Sequence, residues 1–144
     1  MTSLDQVADA VAAIAAGRPV IVVDHENREN EGDIIFAAQF ATPSLMGWTI
    51  RYSSGVVCVP MSGARVDARA LPPMVELNQD AKCNAYMVSC NATVGGSTGI
   101  SAGNGARTAA VLAAPGSMPS DLSRRGHMFP LRAVDGHQTT SGPH

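Results

Sequence analysis

Lysine is nearly absent from this chain. The ten basic residues are nine arginines and Lys82, scattered rather than striped, so the sequence carries no basic footprint for nucleic acid. Charge of either sign is sparse, at 15% of residues, and the formal net charge is -2. Long apolar runs are missing too. None approaches the about 18 residues that a bilayer span requires, and the N-terminus lacks the basic and apolar regions of a signal peptide. These absences predict a cytoplasmic protein with neither a membrane nor a nucleic-acid partner. Cysteine is confined to Cys58, Cys83 and Cys90. An odd number without a CxxC pair fits reduced thiols better than a disulfide frame or a structural zinc site. The glycine-rich stretch GGSTGISAGNG (95–105) holds no G-x-G-x-x-G in the right order and no G-x-x-x-x-G-K-[ST], so neither a dinucleotide fold nor a P-loop is supported. Thr98, Ser101 and the neighbouring amides could at most cradle an anion.

What is present is an alternation of helices and strands in 144 residues that are 45% hydrophobic, enough for one globular domain and its core. Leu4, Val7, Val11 and Ile14 fall on one helical stripe, with Ser3 placed to cap its start and Gly17 to stop it. PVIVV (19–23) reads as a buried strand and IIFAAQF (34–40) as a second, followed by a helix entered by Thr42 and Pro43. SGVVCVPM (54–61) reads as a strand from its β-branched content. ARVDARA gives a short helix before Pro72, and NAYMVSCNAT (84–93) is strand-like. The glycine-rich loop leads into an alanine-rich helix that ends near Pro115. The remainder holds one strand at best and a polar tail. The pattern predicts an α+β or α/β domain with a mixed β-sheet flanked by helices.

Against this sparing use of charge, one stretch stands out. VVDHENRENEGDII (22–35) places five of the twelve carboxylates between Asp24 and Asp33, with Arg28 among them. A calcium loop starting at Asp24 would need Gly at its sixth position and Glu at its twelfth, where Glu29 and Ile35 stand. Two readings remain. One is a solvated turn between strands. The other is a hard-cation and acid/base site, in which one or two carboxylates hold Mg²⁺ and a nearby carboxylate moves protons. Arg28 would then hold a substrate oxygen or orient an acid. Of the four histidines, His25 and His127 lie beside carboxylates or glycine. His127, in RRGHMFP, reads either as a packed turn residue or as a catalyst.

The segments DHENRENEGDIIFAA, RYSSGVVCVPM, STGISA, PSDLSRRGHMFPLRA and the final GPH together resemble the 3,4-dihydroxy-2-butanone 4-phosphate synthase family of the riboflavin pathway. The likeness runs in register from about residue 4 to residue 144, and R-E-N-E-G-D with G-H-x-F-P-L is a specific pair. The resemblance implies an α+β fold, a homodimer with its active sites shared between subunits, and a lyase that uses Mg²⁺ or Mn²⁺ to convert ribulose 5-phosphate to dihydroxybutanone phosphate and formate. It assigns Glu29 and His144 to the metal. Asp24, Arg28, Glu31, Asp33, Cys58 and His127 fall to catalysis, with His127 reaching across the dimer. Arg28, Thr98, Ser101, Thr108 and Arg124 fall to substrate binding.

The departures from the family pattern carry information of their own. An Asp-Arg pair after TGISA is Asn104-Gly105 here, and an Arg three residues before the metal histidine is Ser141, so two cations are gone from the half of the site that grips the substrate. A threonine pair before the glycine loop is replaced by Asn84 and Met87. The family pattern also continues beyond the point where this sequence stops, which predicts a single 1–144 domain without the family's C-terminal segment. Three functions follow: the synthase reaction itself, proton-transfer chemistry on a different substrate, unphosphorylated or larger, in secondary metabolism, or a silent dimeric binding subunit.

Overall fold

The structure is a computed structural model that describes residues 3–27, 29–78, 84–95 and 98–134. Helix α1 (Val7–Ala15) opens the fold. It starts at Gln6 without a side-chain cap, so Ser3 does not serve as one. Gly17 ends it as expected, in the left-handed conformation at φ 79. The Gly17 and Arg18 amides donate back to Ile14 O and Ala13 O at 3.0 and 2.9 Å, the paired closure that a glycine just past a helix permits. The predicted stripe does not face a core. Leu4, Val7 and Val11 are exposed.

Strands β1 (Val20–Val23) and β2 (Gly32–Ile35) form an antiparallel hairpin in which Val20 pairs Ile35 and Val23 pairs Gly32. The expectation of a buried first strand fails, since Ile21, Val22 and Val23 are exposed. The second strand is also shorter than IIFAAQF, because Ala38–Phe40 turns into a 3-10 helix. Helix α2 (Pro43–Tyr52) begins as predicted: Thr42 Oγ1 accepts the Leu45 N–H at 3.1 Å and proline takes the first turn, where its missing N–H is harmless.

The core gathers around helix α4 (Ala102–Ala113), which starts inside the glycine-rich stretch and buries Ala106, Ala109 and Leu112. It packs on α2, whose Met46 is 1% exposed. Removing Leu112 or Met46 from water stabilises the fold by about 1.5–3 kcal/mol each, and each alanine methyl by roughly 0.8. Strand β3 (Cys58–Met61) runs parallel to β6 (Phe129–Arg132), and β4 (Cys90–Ala92) runs antiparallel to β5 (Leu122–Arg124). Single bridges from Tyr86 to Leu131 and from Cys90 to Met128 stitch these ladders together. The mixed pairing is as expected, though among the described residues each ladder has two strands and the stretch from Pro119 to Val134 holds two strands where the sequence predicts one.

Helix α3 (Gly63–Ala68), capped by the Ser62 hydroxyl, supplies a clamp for the far end of α4. Arg65 Nη1 donates to Ala113 O at 2.8 Å, and the buried Arg69 donates to Ala114 O at 2.5 Å and to Arg65 O at 3.1 Å. Two guanidinium groups at a helix C-terminus satisfy carbonyls left without intrahelical partners and favour the dipole. No helix among the described residues is long and apolar enough to cross a membrane.

Candidate active site

The acidic stretch forms the tip of the β1–β2 hairpin. Asp24 closes it: the Asp24 N–H donates to Glu31 O at 3.2 Å, while its two carboxylate oxygens accept the Glu29 N–H at 3.0 Å and the Glu31 N–H at 2.9 Å. Asn30, at φ 53, adopts the left-handed turn between them, a conformation that asparagine tolerates better than most residues. One carboxylate thereby fixes the backbone of two others. Asp24, read from sequence as an acid/base group, directs both its oxygens at the loop's own amides. Glu29 is half-buried, whereas Glu31 and Asp33 are exposed. Arg28 lies outside the described residues.

Carboxylate oxygens, the ligand class of hard divalent cations, predominate on this loop, beside the imidazole of His25 and the amides of Asn27 and Asn30. Among the described residues no three His, Cys, Asp or Glu side chains converge on one point. His144, the second expected ligand, and Ser141 lie outside the described residues. One or two carboxylates with the remaining positions left to water and substrate suit Mg²⁺, which dehydrates reluctantly, better than Ca²⁺, which takes more protein oxygens. The loop therefore fits magnesium.

His127 belongs to a second cluster. The turn that carries it is fastened to β4 and the residue before it by four hydrogen bonds. The Gly126 N–H donates to Ser89 Oγ at 3.1 Å and the His127 N–H to Asn91 Oδ1 at 2.9 Å. The Met128 N–H donates to Cys90 O at 3.2 Å and the Cys90 N–H to Met128 O at 3.0 Å. Asn91 Nδ2 also lies 3.5 Å from His127 Nδ1. Two glycines permit this approach. A Cβ on Gly126 would stand on the backbone of Cys90 and 2.5 Å from Asn91 N, and one on Gly99 would collide with the Asn91 amide and come 3.3 Å from His127 Nδ1. Gly99 thus brings its stretch of the glycine-rich loop against His127, with exposed Thr98 next to it in sequence. Ser101 accepts the Asn104 N–H at 3.2 Å and caps α4.

Cys58 is level with Phe129 in the parallel β3–β6 ladder, two residues from His127, and its sulfur lies 3.9 Å from the Tyr86 hydroxyl. Cys90, beneath the His127 turn, is fully buried. Burial pushes its thiol up to about 11, with the Arg124 charge acting in the other direction. Cys58 and Cys90 are both free thiols. Cys83 lies outside the described residues.

Two residues assigned to substrate binding serve the fold here. Thr108 is buried, and its hydroxyl accepts the Ala92 N–H at 2.9 Å and donates to Asn104 O at 2.8 Å. Arg124 sends its guanidinium into the carbonyls of Arg69, Ala70, Pro119 and Leu122. Gly105, where the family pattern has a cation, is buried, and a side chain there would meet Met46 Cγ at 3.1 Å. No hydrogen bond joins His127 to the acidic loop among the described residues. Ser89, Asn91 and Gly126 were not singled out from sequence. A polar amide inside the otherwise apolar run YMVSCNA was the available signal for Asn91.

A family model described as 3,4-dihydroxy-2-butanone 4-phosphate synthase matches residues 8–141. Riboflavin biosynthesis protein RibBA of Nocardia farcinica is 53% identical over 136 residues, which are 94% of this chain and 33% of that protein. RibBA of Salinispora tropica is 51% identical over 136 residues, 94% of this chain and 34% of its own. The chain spans about a third of the length of these curated relatives. Among solved structures, a 3,4-dihydroxy-2-butanone 4-phosphate synthase in complex with two magnesium ions matches with a TM-score of 0.90 and 43% identity over 92% of this chain and 62% of that one. A cation-free form of such a synthase matches with a TM-score of 0.85 and 41% identity, over 93% and 62%.

Proposed function

The chain belongs to the 3,4-dihydroxy-2-butanone 4-phosphate synthase family, and from that premise we propose that it is a magnesium-dependent lyase that converts ribulose 5-phosphate to dihydroxybutanone phosphate and formate. The observation that carries this reading is the hairpin tip, where Asp24 fixes the backbone of Glu29 and Glu31 in a carboxylate-rich loop. Glu29, with His144, would hold the metal. When bound, the ion would polarise adjacent hydroxyl and carbonyl oxygens of the sugar and acidify the neighbouring C–H; manganese would serve in the same way. Glu31 and Asp33, at the open side of the loop, take up and return protons. Arg28 holds a substrate oxygen. His127, held against β4, presents its ring to the substrate, while Cys58 and Thr98 line the approach.

The same proposal includes a homodimer with shared sites in the cytoplasm. Two features support it: His127 and the acidic loop share no hydrogen bond within the described residues, and the exposed apolar residues of α1 and the hairpin, Val7 at 78% and Ile21 at 67%, need cover. The test is formate release from ribulose 5-phosphate with Mg²⁺, for wild type and Glu29→Gln. Formate that depends on both metal and Glu29 supports the reading; none at saturating metal ends it. Sedimentation tests the dimer, and a monomer at assay concentration would remove the shared site.

A second reading, the same proton-transfer corner acting on an unphosphorylated substrate, is favoured by the phosphate half. Arg124 is committed to carbonyls, and methionine fills the space beside Gly105. Loss of a charge-assisted contact to phosphate forfeits about 1.5–3 kcal/mol. Turnover of ribulose equal to that of ribulose 5-phosphate would select this second reading. A silent binding subunit would bind no divalent cation through Glu29.

A further inference from the structure

We propose that Asn91 is a positioning residue that fixes the tautomer of His127, so that the neutral ring carries its proton on Nε2 and offers an N–H donor away from β4. This rests on the role given to His127 above. The direction of the Asn91 amide follows from its backbone partner. A peptide N–H can only donate, so the atom 2.9 Å from His127 N is the carbonyl oxygen Oδ1. The other end of the amide is then the NH₂ group, which can only donate as well. It stands 3.5 Å from His127 Nδ1, at the outer limit of a hydrogen bond, and a ring nitrogen facing a donor is favoured with its lone pair toward it. The proton of the neutral imidazole is left on Nε2.

The surroundings hold the arrangement in place. Gly126 and Met128, on either side of His127, are tied to Ser89 and Cys90, so the turn cannot slide along β4. Gly99, at φ 80, lies directly over the Asn91 amide, where any Cβ would displace it. The chemical consequence is specific. In its neutral form His127 enters the site as a hydrogen-bond donor to a substrate oxygen, not as the base that takes the first proton. That task falls to the carboxylates of the hairpin loop. A carboxylate at position 91 would reverse the polarity, accepting from Nδ1–H and turning the Nε2 lone pair outward.

The test is independent of substrate. Long-range proton–nitrogen NMR of the full chain, labelled with ¹⁵N-histidine and kept in mildly alkaline buffer, reads the tautomer of each ring, and His127→Gln identifies the signals. Wild type is expected to show a single Nε2–H tautomer. Asn91→Leu should relax to the mixture of a free imidazole, and Asn91→Asp, which keeps an acceptor for the His127 N–H, should move the proton to Nδ1. A wild-type ring protonated on Nδ1 would overturn the proposal, as would an Asn91→Asp ring that stays Nε2–H in a folded protein. If a variant fails to fold, the wild-type spectrum alone decides. A single Nε2–H tautomer with no formate release would sink the lyase reading and leave this one standing.

Discussion

Replacing Gly126 with alanine is the sharpest test of how the His127 turn is held. The added methyl would overlap the carbonyl group of Cys90 and lie 2.5 Å from Asn91 N. These are backbone atoms of a paired strand, so no rotamer change relieves the clash. Either β4 or the turn must move by more than an ångström. The four hydrogen bonds that join them, from Gly126 to Ser89, from His127 to Asn91, and the reciprocal pair between Met128 and Cys90, then lengthen or break. At about 1 kcal/mol net for each, their full loss is worth about 4 kcal/mol, and loss of half about 2. A domain of this size melts roughly 3–5 °C lower for each kcal/mol, so Gly126→Ala should fall about 10 °C below wild type. Gly116 is the control. A Cβ there meets nothing within 4 Å, and alanine should be neutral or stabilise by about 0.4–1 kcal/mol through the unfolded chain. Thermal melts followed by circular dichroism compare the two. A Gly126→Ala protein that melts within about 2 °C of wild type would refute the close approach of turn and strand.

Three further expectations follow from the packing. Arg69→Met removes the buried donors to Arg65 O and Ala114 O and should cost about 2–3 kcal/mol in urea unfolding, against about 0.5–1 for Arg65→Ala at the exposed rim; equal costs would mean that burial of the guanidinium contributes nothing. In a Cys83→Ser background, Cys58 should react readily with a thiol reagent, while Cys90, pushed up to about 11 by burial, exposes roughly one thiolate in a thousand at about pH 8 and should react only on unfolding; a native Cys90 labelled as fast as Cys58 would contradict this. Asp67, hydrogen-bonded to Arg132 at 2.7 Å, is held below the usual carboxylate range. Its folded value is depressed, so its contribution is present above the unfolded value and lost as pH falls through the folded one. The gap in melting temperature between wild type and Asp67→Asn should therefore be small at neutral pH, narrow further with salt, and close in strong acid; a gap that widens in acid would reverse the assignment.

Local signals were legible in the sequence wherever a short-range rule governs. Thr42 and Pro43 start a helix because their own side chains act within one turn, and Gly17 ends one because its φ is unrestricted. The acidic run was legible as a loop because charge cannot be buried unpaired. Its inner division of labour was not: which carboxylate turns inward to bind amides depends on the left-handed residue at Asn30. IIFAAQF and the C-terminal strands were misjudged because a ladder needs a partner strand distant in sequence. Residues 36–40 have none among the described residues, whereas Leu122–Arg124 finds β4 and Phe129–Arg132 finds β3.

The hairpin and the His127 turn show what local rules leave out. PVIVV has the composition of a buried strand, yet three of its residues are exposed. Composition records that a strand can be buried and does not record what, if anything, lies against it. The helix stripe of Val7 and Val11 has the same history: its period is right and its cover is not in the described residues. His127 is the polar counterpart. Its neighbours in sequence, Gly126 and Met128, fix only its backbone, whereas the atom that faces its ring comes from a residue 36 positions away. A motif such as G-H-x-F-P-L therefore identifies the ring but not which of its nitrogens holds the proton. That choice is made by an amide on a neighbouring strand, and replacing that amide with a carboxylate would reverse it without altering the motif.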